Sequence, residues 1–501
     1  MPIIRHKGSC FAAIDIGTNA VRLKIGRFLD DGTLSILHSE REGIRPGEGV
    51  FETGTMSENA VERLVRTLEI FNEICEQYGA IPRAVATSAM RDASNRAEVV
   101  KRARKEAGVD IEIISGREEA RLISLGALWG TKGRVKNLLV DIGGGSTEVA
   151  LCAGDHPTEL WSLSIGAVRL TELFATRGKV DSSHLALMRK YALRACEDAL
   201  PVSSTRLPSV ALGTSGSIRA LVPFAAPRGE GEASYRQVHE AVRKLCALSF
   251  AERMKRFESR RAEVIISAAV ILETVMKHLK IDRIRAGETG LRDGVLVDLY
   301  RRHDMGENSD LVEQGALDFG RRLGFDERHA AQVAEFASGL FDDLHSLHHL
   351  APEWRVVLRV AALLHDIGYA VNRQKHHRHS AYLLENTDLP GLSDRGRIVA
   401  ARLTRFHRRR APKKGHPGLD GLSPEESEVV TLLAPLLRLA DAFDRGHHRS
   451  VQELSVKIAP RSLTLQVEAK RGAALELWDA ERESPIFEQV YGRKLRLRLQ
   501  A

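Results

Sequence analysis

The stretch Leu138-Leu-Val-Asp-Ile-Gly-Gly-Gly-Ser-Thr-Glu-Val-Ala-Leu151 decides the fold. Its apolar run Leu138, Leu139, Val140 reads as a buried strand that collapses at Asp141 into three glycines and returns as a second β-rich run, a hairpin with a glycine tip. Gly143, Gly144 and Gly145 let the backbone approach a ligand closely and aim several N–H groups at one anion, for which phosphate is the natural guest. Asp141 and Glu148 sit at the rim of this turn. Carboxylates there would repel a bare phosphate, so they suit a divalent cation held against it. A single turn of this kind serves equally well as a plain hairpin between core strands.

The feature occurs twice. Phe11-Ala-Ala-Ile-Asp-Ile-Gly-Thr-Asn-Ala-Val-Arg-Leu-Lys-Ile25 repeats strand, Asp-Ile-Gly turn and returning strand, with Asp15 and Asp141 126 positions apart. Ala86-Thr-Ser-Ala-Met-Arg91 and Leu212-Gly-Thr-Ser-Gly-Ser-Ile-Arg219 echo each other too, Ser88 and Ser215 lying 127 apart. Two homologous halves, each offering a phosphate loop to a shared cleft, account for both offsets. The expected domains are therefore 1–128 and 129–305, α/β with mixed sheets.

Within the first half, three β-rich runs, with a turn at Asp30-Asp31-Gly32, precede a helix that Ser57 caps and Gly79 ends. A strand from Ala84 to Thr87, a basic helix around Ala97 to Ala107 and a strand from Ile111 to Ile114 follow. The second half repeats the scheme through strands at Trp161 to Ile165, Val210 to Gly213 and Arg283 to Ala286, with extra residues between Pro223 and Lys255. After the strand at Ile114, Ser115 opens a helix whose first turn carries Glu118 and Glu119. Acidic residues there complement the helix dipole. A loop after a strand's carboxyl end also faces the ligand crevice, where a carboxylate free of metal can orient and deprotonate water.

The chain has 501 residues, 43% of them hydrophobic, enough for several cores. It has no apolar run of bilayer length, and Met1 to Ser9 lacks a signal-peptide core, so no membrane partner is expected. Five scattered cysteines without a Cys-x-x-Cys spacing argue for a reducing, cytoplasmic setting and against a zinc ribbon. A net charge of +8 favours an anionic partner.

Asp15-Ile-Gly-Thr-Asn19, Ala86-Thr-Ser-Ala-Met-Arg91, Ile113-Ile-Ser-Gly-Arg-Glu-Glu-Ala-Arg121, Asp141-Ile-Gly-Gly-Gly-Ser-Thr-Glu148 and Gly290-Leu-Arg-Asp-Gly294 occur in order over some three hundred residues. Together they resemble the exopolyphosphatase and guanosine pentaphosphate phosphatase (Ppx/GppA) family. The resemblance implies two ribonuclease-H-like domains of the actin, Hsp70 and sugar kinase superfamily. It makes Glu119 the water-activating carboxylate, Asp141 and Glu148 the magnesium (or manganese) ligands, and Arg91 a phosphate grip. It places Asp15, Gly17, Thr18, Asn19 and Arg22 of the first turn at the phosphate, with Gly143, Gly144, Gly145 and Ser146 as the cradle and Thr214, Ser215 and Gly216 beside it. Thr18 and Ala20 stand where many relatives carry serine; Thr18 keeps a hydroxyl and Ala20 does not.

Beyond Tyr300 the sequence turns helical, after a polar linker from Arg301 to Ser309, and a domain at 306–450 is expected. His329, His365, Asp366, His379, His407 and Asp441 form a candidate set for a second divalent metal, since histidine beside aspartate with further distant partners is a ligand pattern. Gly368 would cap the helix that carries His365. The pattern His329-Ala-Ala-Gln-Val-Ala334, Leu363-Leu-His-Asp366, His376-His-Arg-His-Ser380 and Leu437-Arg-Leu-Ala-Asp441 resembles the HD superfamily of metal-dependent phosphohydrolases. Long exopolyphosphatases carry an HD-like domain here, often with eroded ligands; this set reads as unbroken. The run Arg405 to His416 is strongly cationic and could guide a polyanion. Residues 451–501 read as a small α+β cap, with strands at Leu454 to Ile458, Ser462 to Val467, Ala474 to Trp478 and Leu495 to Leu499.

The function so implied is an exopolyphosphatase that releases orthophosphate from inorganic polyphosphate. Hydrolysis of guanosine pentaphosphate is the nearest alternative. An actin-like ATPase or sugar kinase, and a non-catalytic polyanion-binding module without specific nucleic-acid recognition, lie further off. The resemblance suggests a homodimer.

Overall fold

The computed structural model describes residues 9–500 apart from 30, 132–134, 177, 201–206, 229, 230, 306, 307, 388, 390, 409, 410, 414 and 470–472. Asp30 of the expected Asp30-Asp31-Gly32 turn, Gly306 and Glu307 of the linker, and Arg409, Arg410 and Lys414 of the cationic run lie outside the described residues. The chain forms two compact units, 1–306 and 307–501.

Unit 1 holds two sheets. The first contains β1 (Cys10–Ile16), β2 (Val21–Phe28), β3 (Leu34–Glu42), β4 (Ala80–Ala86) and β5 (Ile111–Ile113), in the order β3-β2-β1-β4-β5. The second contains β6 (Lys136–Ile142), β7 (Thr147–Ala153), β8 (His156–Leu163), β9 (Val210–Gly213), β10 (Glu232–Ser234) and β11 (Arg283–Ala286), in the order β10-β11-β9-β6-β7-β8. In each, an antiparallel three-strand meander is followed by parallel strands: β1 pairs β2 antiparallel and β4 parallel, and β6 pairs β7 antiparallel and β9 parallel. The duplication expected from the two turns is therefore a duplication of topology. β10, antiparallel to β11, is the addition supplied by the longer second half.

Local chemistry explains the helices that frame this core. Ser57 caps Glu58–Gln77 by accepting a hydrogen bond from the Ala60 amide, worth about 1 kcal/mol. That helix buries Val61, Leu64, Leu68 and Phe71 on the first sheet. Ser115 caps Gly116–Leu128 in the same way through the Glu118 amide at 3.2 Å, which fixes Glu119 in the first turn.

The two helices that close the lobes exchange partners. Gly116–Leu128 ends the first half in sequence, yet Ala120 and Leu128 pack with Leu139, Ala150 and Leu160 of the second sheet. Leu291–Tyr300 ends the second half, yet Val295, Leu296 and Leu299 pack with Phe11, Ala13 and Phe28 of the first. They cross where two glycines meet: a Cβ on Gly294 would lie 1.7 Å from the Leu122 carbonyl oxygen, and one on Gly126 would lie 2.4 Å from the Gly294 amide. A buried ion network locks the crossing. Asp298 accepts from Arg121 at 2.6 Å and from Arg83 at 2.7 Å, while Arg121 also holds Glu118. Removing one member of such a network strands a buried charge.

Unit 2 is a helical core followed by a three-stranded sheet. Its helices include Glu327–Asp343, Glu353–Leu364, His376–Glu385, Asp394–Phe406 and Pro424–Ala442. The strands β12 (Val451–Ile458), β13 (Ser462–Ala469) and β14 (Lys494–Gln500) follow, with β13 central. One apolar core runs through both parts, joining Leu358, Leu403 and Leu436 to Leu463, Leu465 and Phe487. Ala474 to Trp478, expected as a strand, begins the helix Ala474–Tyr491. Five residues of alternation fit either period. The longer spacing Glu476, Ala480, Phe487, all buried, decides for the helix. Among the described residues no helix is long and apolar enough to cross a membrane.

Candidate functional site

The two hairpin turns of unit 1 face one cleft of about 440 Å³. Asp15, Gly17, Thr18, Asn19 and Arg22 line it from the first lobe; Asp141, Gly143, Gly144, Gly145 and Ser146, with Thr214, Ser215 and Gly216, line it from the second, and Glu119 lies among them. The turns nearly touch. A Cβ on Gly144 would lie 2.7 Å from Thr18 Cβ, so only glycine allows this approach.

The register places the charges. Asp15 pairs with Arg22 across the first hairpin, and Asp141 with Glu148 across the second. Arg22 Nη1 donates to Asp15 Oδ2 at 3.1 Å. Asp141 Oδ2 accepts from Thr214 Oγ1 at 2.6 Å, and Glu148 Oε1 accepts from Ser162 Oγ at 2.9 Å. Glu148 Oε2 is buried without a hydrogen-bond partner.

Glu119 is 6% exposed. Arg91, expected as a phosphate grip, stands against it: Nη1 donates to Glu119 Oε2 at 3.0 Å and to the Ile114 carbonyl at 2.8 Å, and Nη2 reaches Ser146 Oγ at 3.4 Å. Burial pushes the Glu119 carboxyl up to about 7; Arg91 opposes the rise, and the nearby Asp15 and Asp141 add to it. Burial, with Glu119 close by, likewise raises Glu148, and burial raises Asp141 against its Thr214 bond. Glu119 and Glu148 are buried and Asp141 half-buried, and with one Glu148 oxygen unpartnered they offer oxygen donors of the kind magnesium takes.

The cleft also holds residues that sequence reasoning missed. Arg41, Arg219, Arg260, Arg261 and Arg292 line it with Arg22. Burial and the like charges of Arg22 and Arg41 lower Arg261 to about 10, an environment that an anion relieves. Arg219 and Arg292 belong to the sequence motifs; Arg41 lies on β3, and Arg260 and Arg261 are neighbours in the helix Ser259–His278, outside any of them. Arg169 adds a link across the cleft, donating to the Gly145 carbonyl at 2.8 Å and to Ser88 Oγ at 3.2 Å.

Unit 2 brings His329, His365, His376 and His407 together in its interior. His329 Nε2 lies 3.3 Å from His365 Nε2, and both lie 3.5 Å from Asp441 Oδ1. Asp366 Oδ1 lies 3.2 Å from His376 Nε2 and 3.6 Å from His407 Nε2. His376 takes the place expected for His379, which sits three residues on, half-buried and outside these groups. The second nitrogens are engaged: Nδ1 of His365 with the Ala362 carbonyl at 2.7 Å, of His407 with Thr404 at 2.6 Å, of His329 with Asp444 at 2.9 Å. Each Nε2 is thereby turned to the neighbouring aspartate. Both Asp366 oxygens and Asp441 Oδ1 are buried without hydrogen-bond partners. Gly368 does not cap the preceding helix. It permits close packing, since a Cβ there would lie 2.1 Å from the His376 carbonyl oxygen.

Unit 1 is thus a pair of α/β sheets whose glycine turns, carboxylates and arginines line one cleft. The sequence model of the Ppx/GppA phosphatase family matches residues 28–303, and that of Ppx/GppA phosphatase domain III matches 313–484. The chain belongs to the Ppx/GppA phosphatase family. Among solved structures it is similar to an exopolyphosphatase-like protein from a structural-genomics programme, at 27% identity over 59% of this chain and 99% of that one, TM-score 0.54. It is similar to the Aquifex aeolicus member of the family at 27% identity over 59% and 99%, TM-score 0.52. An exopolyphosphatase from Cytophaga hutchinsonii matches at 25% identity over 58% and 97%, TM-score 0.51.

Proposed function

We propose that this phosphatase is an exopolyphosphatase, hydrolysing the terminal phosphoanhydride bond of inorganic polyphosphate to release orthophosphate. The observation that carries the reading is Glu119: a buried carboxyl held near neutrality, 3.0 Å from Arg91, in a cleft between two phosphate turns. A carboxyl tuned to about 7 can take a proton from water at physiological pH. The Gly143 to Ser146 backbone receives the terminal phosphoryl group, and Glu119 orients the attacking water and accepts its proton as the bridging P–O bond breaks. Arg91 holds Glu119 in place. Asp141 and Glu148 would hold magnesium, which when bound neutralises charge on the phosphoryl oxygens.

The arginines favour a chain of phosphates over guanosine pentaphosphate. Six line the cleft, and among the described residues no aromatic side chain lines it to stack a guanine. Phosphate release from long-chain polyphosphate and from guanosine pentaphosphate, measured side by side with magnesium, tests this. A higher kcat/KM on the nucleotide would reverse the assignment.

The unpartnered oxygens of Asp366 and Asp441 support a second reading, that unit 2 holds a divalent metal in the manner of HD phosphohydrolases. Its imidazole-rich set suits a transition ion such as manganese, iron, cobalt or zinc better than magnesium. Metal analysis of the purified protein tests it.

A further inference from the structure

We propose that His447 is a further ligand of the unit 2 cation and closes the solvent side of its site. This rests on the reading of the cluster as a metal centre. Beyond the buried ligands already named, a ring nitrogen of His447 lies within 4.8 Å of ligand atoms on His329 and Asp366. Its ring stacks on His329 at 3.8 Å between centroids and 15° between planes, so it turns out of this stack when its in-plane nitrogen lone pair meets the ion. Unlike His329, His365 and Asp441, it is exposed.

The surroundings keep this residue beside the site. His447 Nδ1 donates to Asp326 Oδ2 at 3.0 Å, which leaves Nε2 for a cation. Asp326 Oδ1 meanwhile caps the helix Glu327–Asp343 by accepting from the His329 amide at 3.1 Å, so one carboxylate locates both histidines. The turn is tied at its other end by Asp444, whose Oδ1 accepts from the Arg449 amide at 2.8 Å and whose Oδ2 meets His329 Nδ1.

Within that turn His447 has φ +55° and Arg449 φ +52°, in the left-handed region that residues with a side chain rarely adopt. A surface histidine with no task gains nothing from that conformation. A ligand aimed at a fixed point does. The partner bond at Nδ1 is also the arrangement that orients metal-binding imidazoles.

The test uses untagged full-length protein, stripped with a chelator and titrated with cobalt(II) while excess magnesium occupies the oxygen-only cleft. Affinity comes from calorimetry and coordination from the visible cobalt absorption. His447→Ala, at an exposed position, should fold normally, weaken cobalt binding on the order of tenfold or more and change the visible spectrum. Asp326→Asn should produce a smaller loss in the same direction. A His447→Ala protein with wild-type affinity and spectrum would overturn the role of His447 alone. Wild-type cobalt affinity in His365→Ala would overturn the metal centre and His447 with it.

Discussion

Arg22 stands opposite Asp15 at the register position that Glu148 holds opposite Asp141. The duplicated hairpins have thus diverged in charge at one site: the second keeps two carboxylates and suits a cation, while the first couples its carboxylate to a guanidinium and suits phosphate. Arg22→Ala should raise KM for polyphosphate about tenfold or more, the worth of one charged hydrogen bond, with a smaller change in kcat. Arg22→Glu, which restores the symmetry, should be worse. Steady-state kinetics on a defined chain length checks both.

The Glu119 carboxyl gives a pH signature. Its folded value of about 7 lies above the ordinary 4.5, so kcat/KM should rise with pH up to about 7 and then level. In metal-free protein the folded state keeps a proton that the unfolded chain releases, so stability falls as pH rises between 4.5 and about 7. Glu119→Gln should therefore raise Tm at pH ~8 by a few degrees and leave it unchanged at pH ~4. Thermal melts at the two pH values decide this.

The helix crossing leaves no room for a methyl group. Gly294→Ala would drive a carbon into the Leu122 carbonyl, a backbone atom that cannot turn aside, and should cost about 3 kcal/mol or more. Urea unfolding monitored on unit 1 measures it.

In unit 2 the metal reading separates two nearby histidines. His376→Ala should abolish or strongly weaken metal binding, whereas His379→Ala should leave it within about twofold, because only the first lies among the ligand groups. Metal content after dialysis tells them apart.

That pair also marks how far the sequence could be read. The phosphate turns were legible because glycine and aspartate carry a local signature that recurs after 126 residues. In His376-His-Arg-His379 three histidines compete, and the choice depends on where the helix begins. Lys375 at φ +61° sets that start, a tertiary fact with no local signal. The helix Leu291–Tyr300 ends the second half in sequence but packs on the first sheet, which adjacency alone does not reveal. The cleft arginines were hidden for a related reason, since Arg41 on β3 and the Arg260–Arg261 pair on the helix Ser259–His278 converge from positions more than two hundred residues apart.

Everything turns on Glu119 as the group that prepares the water. Orthophosphate release from long-chain polyphosphate by Glu119→Gln, with magnesium and with folding checked by circular dichroism, is the most direct measurement. The account predicts a fall in kcat of about 10²–10⁴-fold with KM little changed; a folded variant that turns over at the wild-type rate would contradict it.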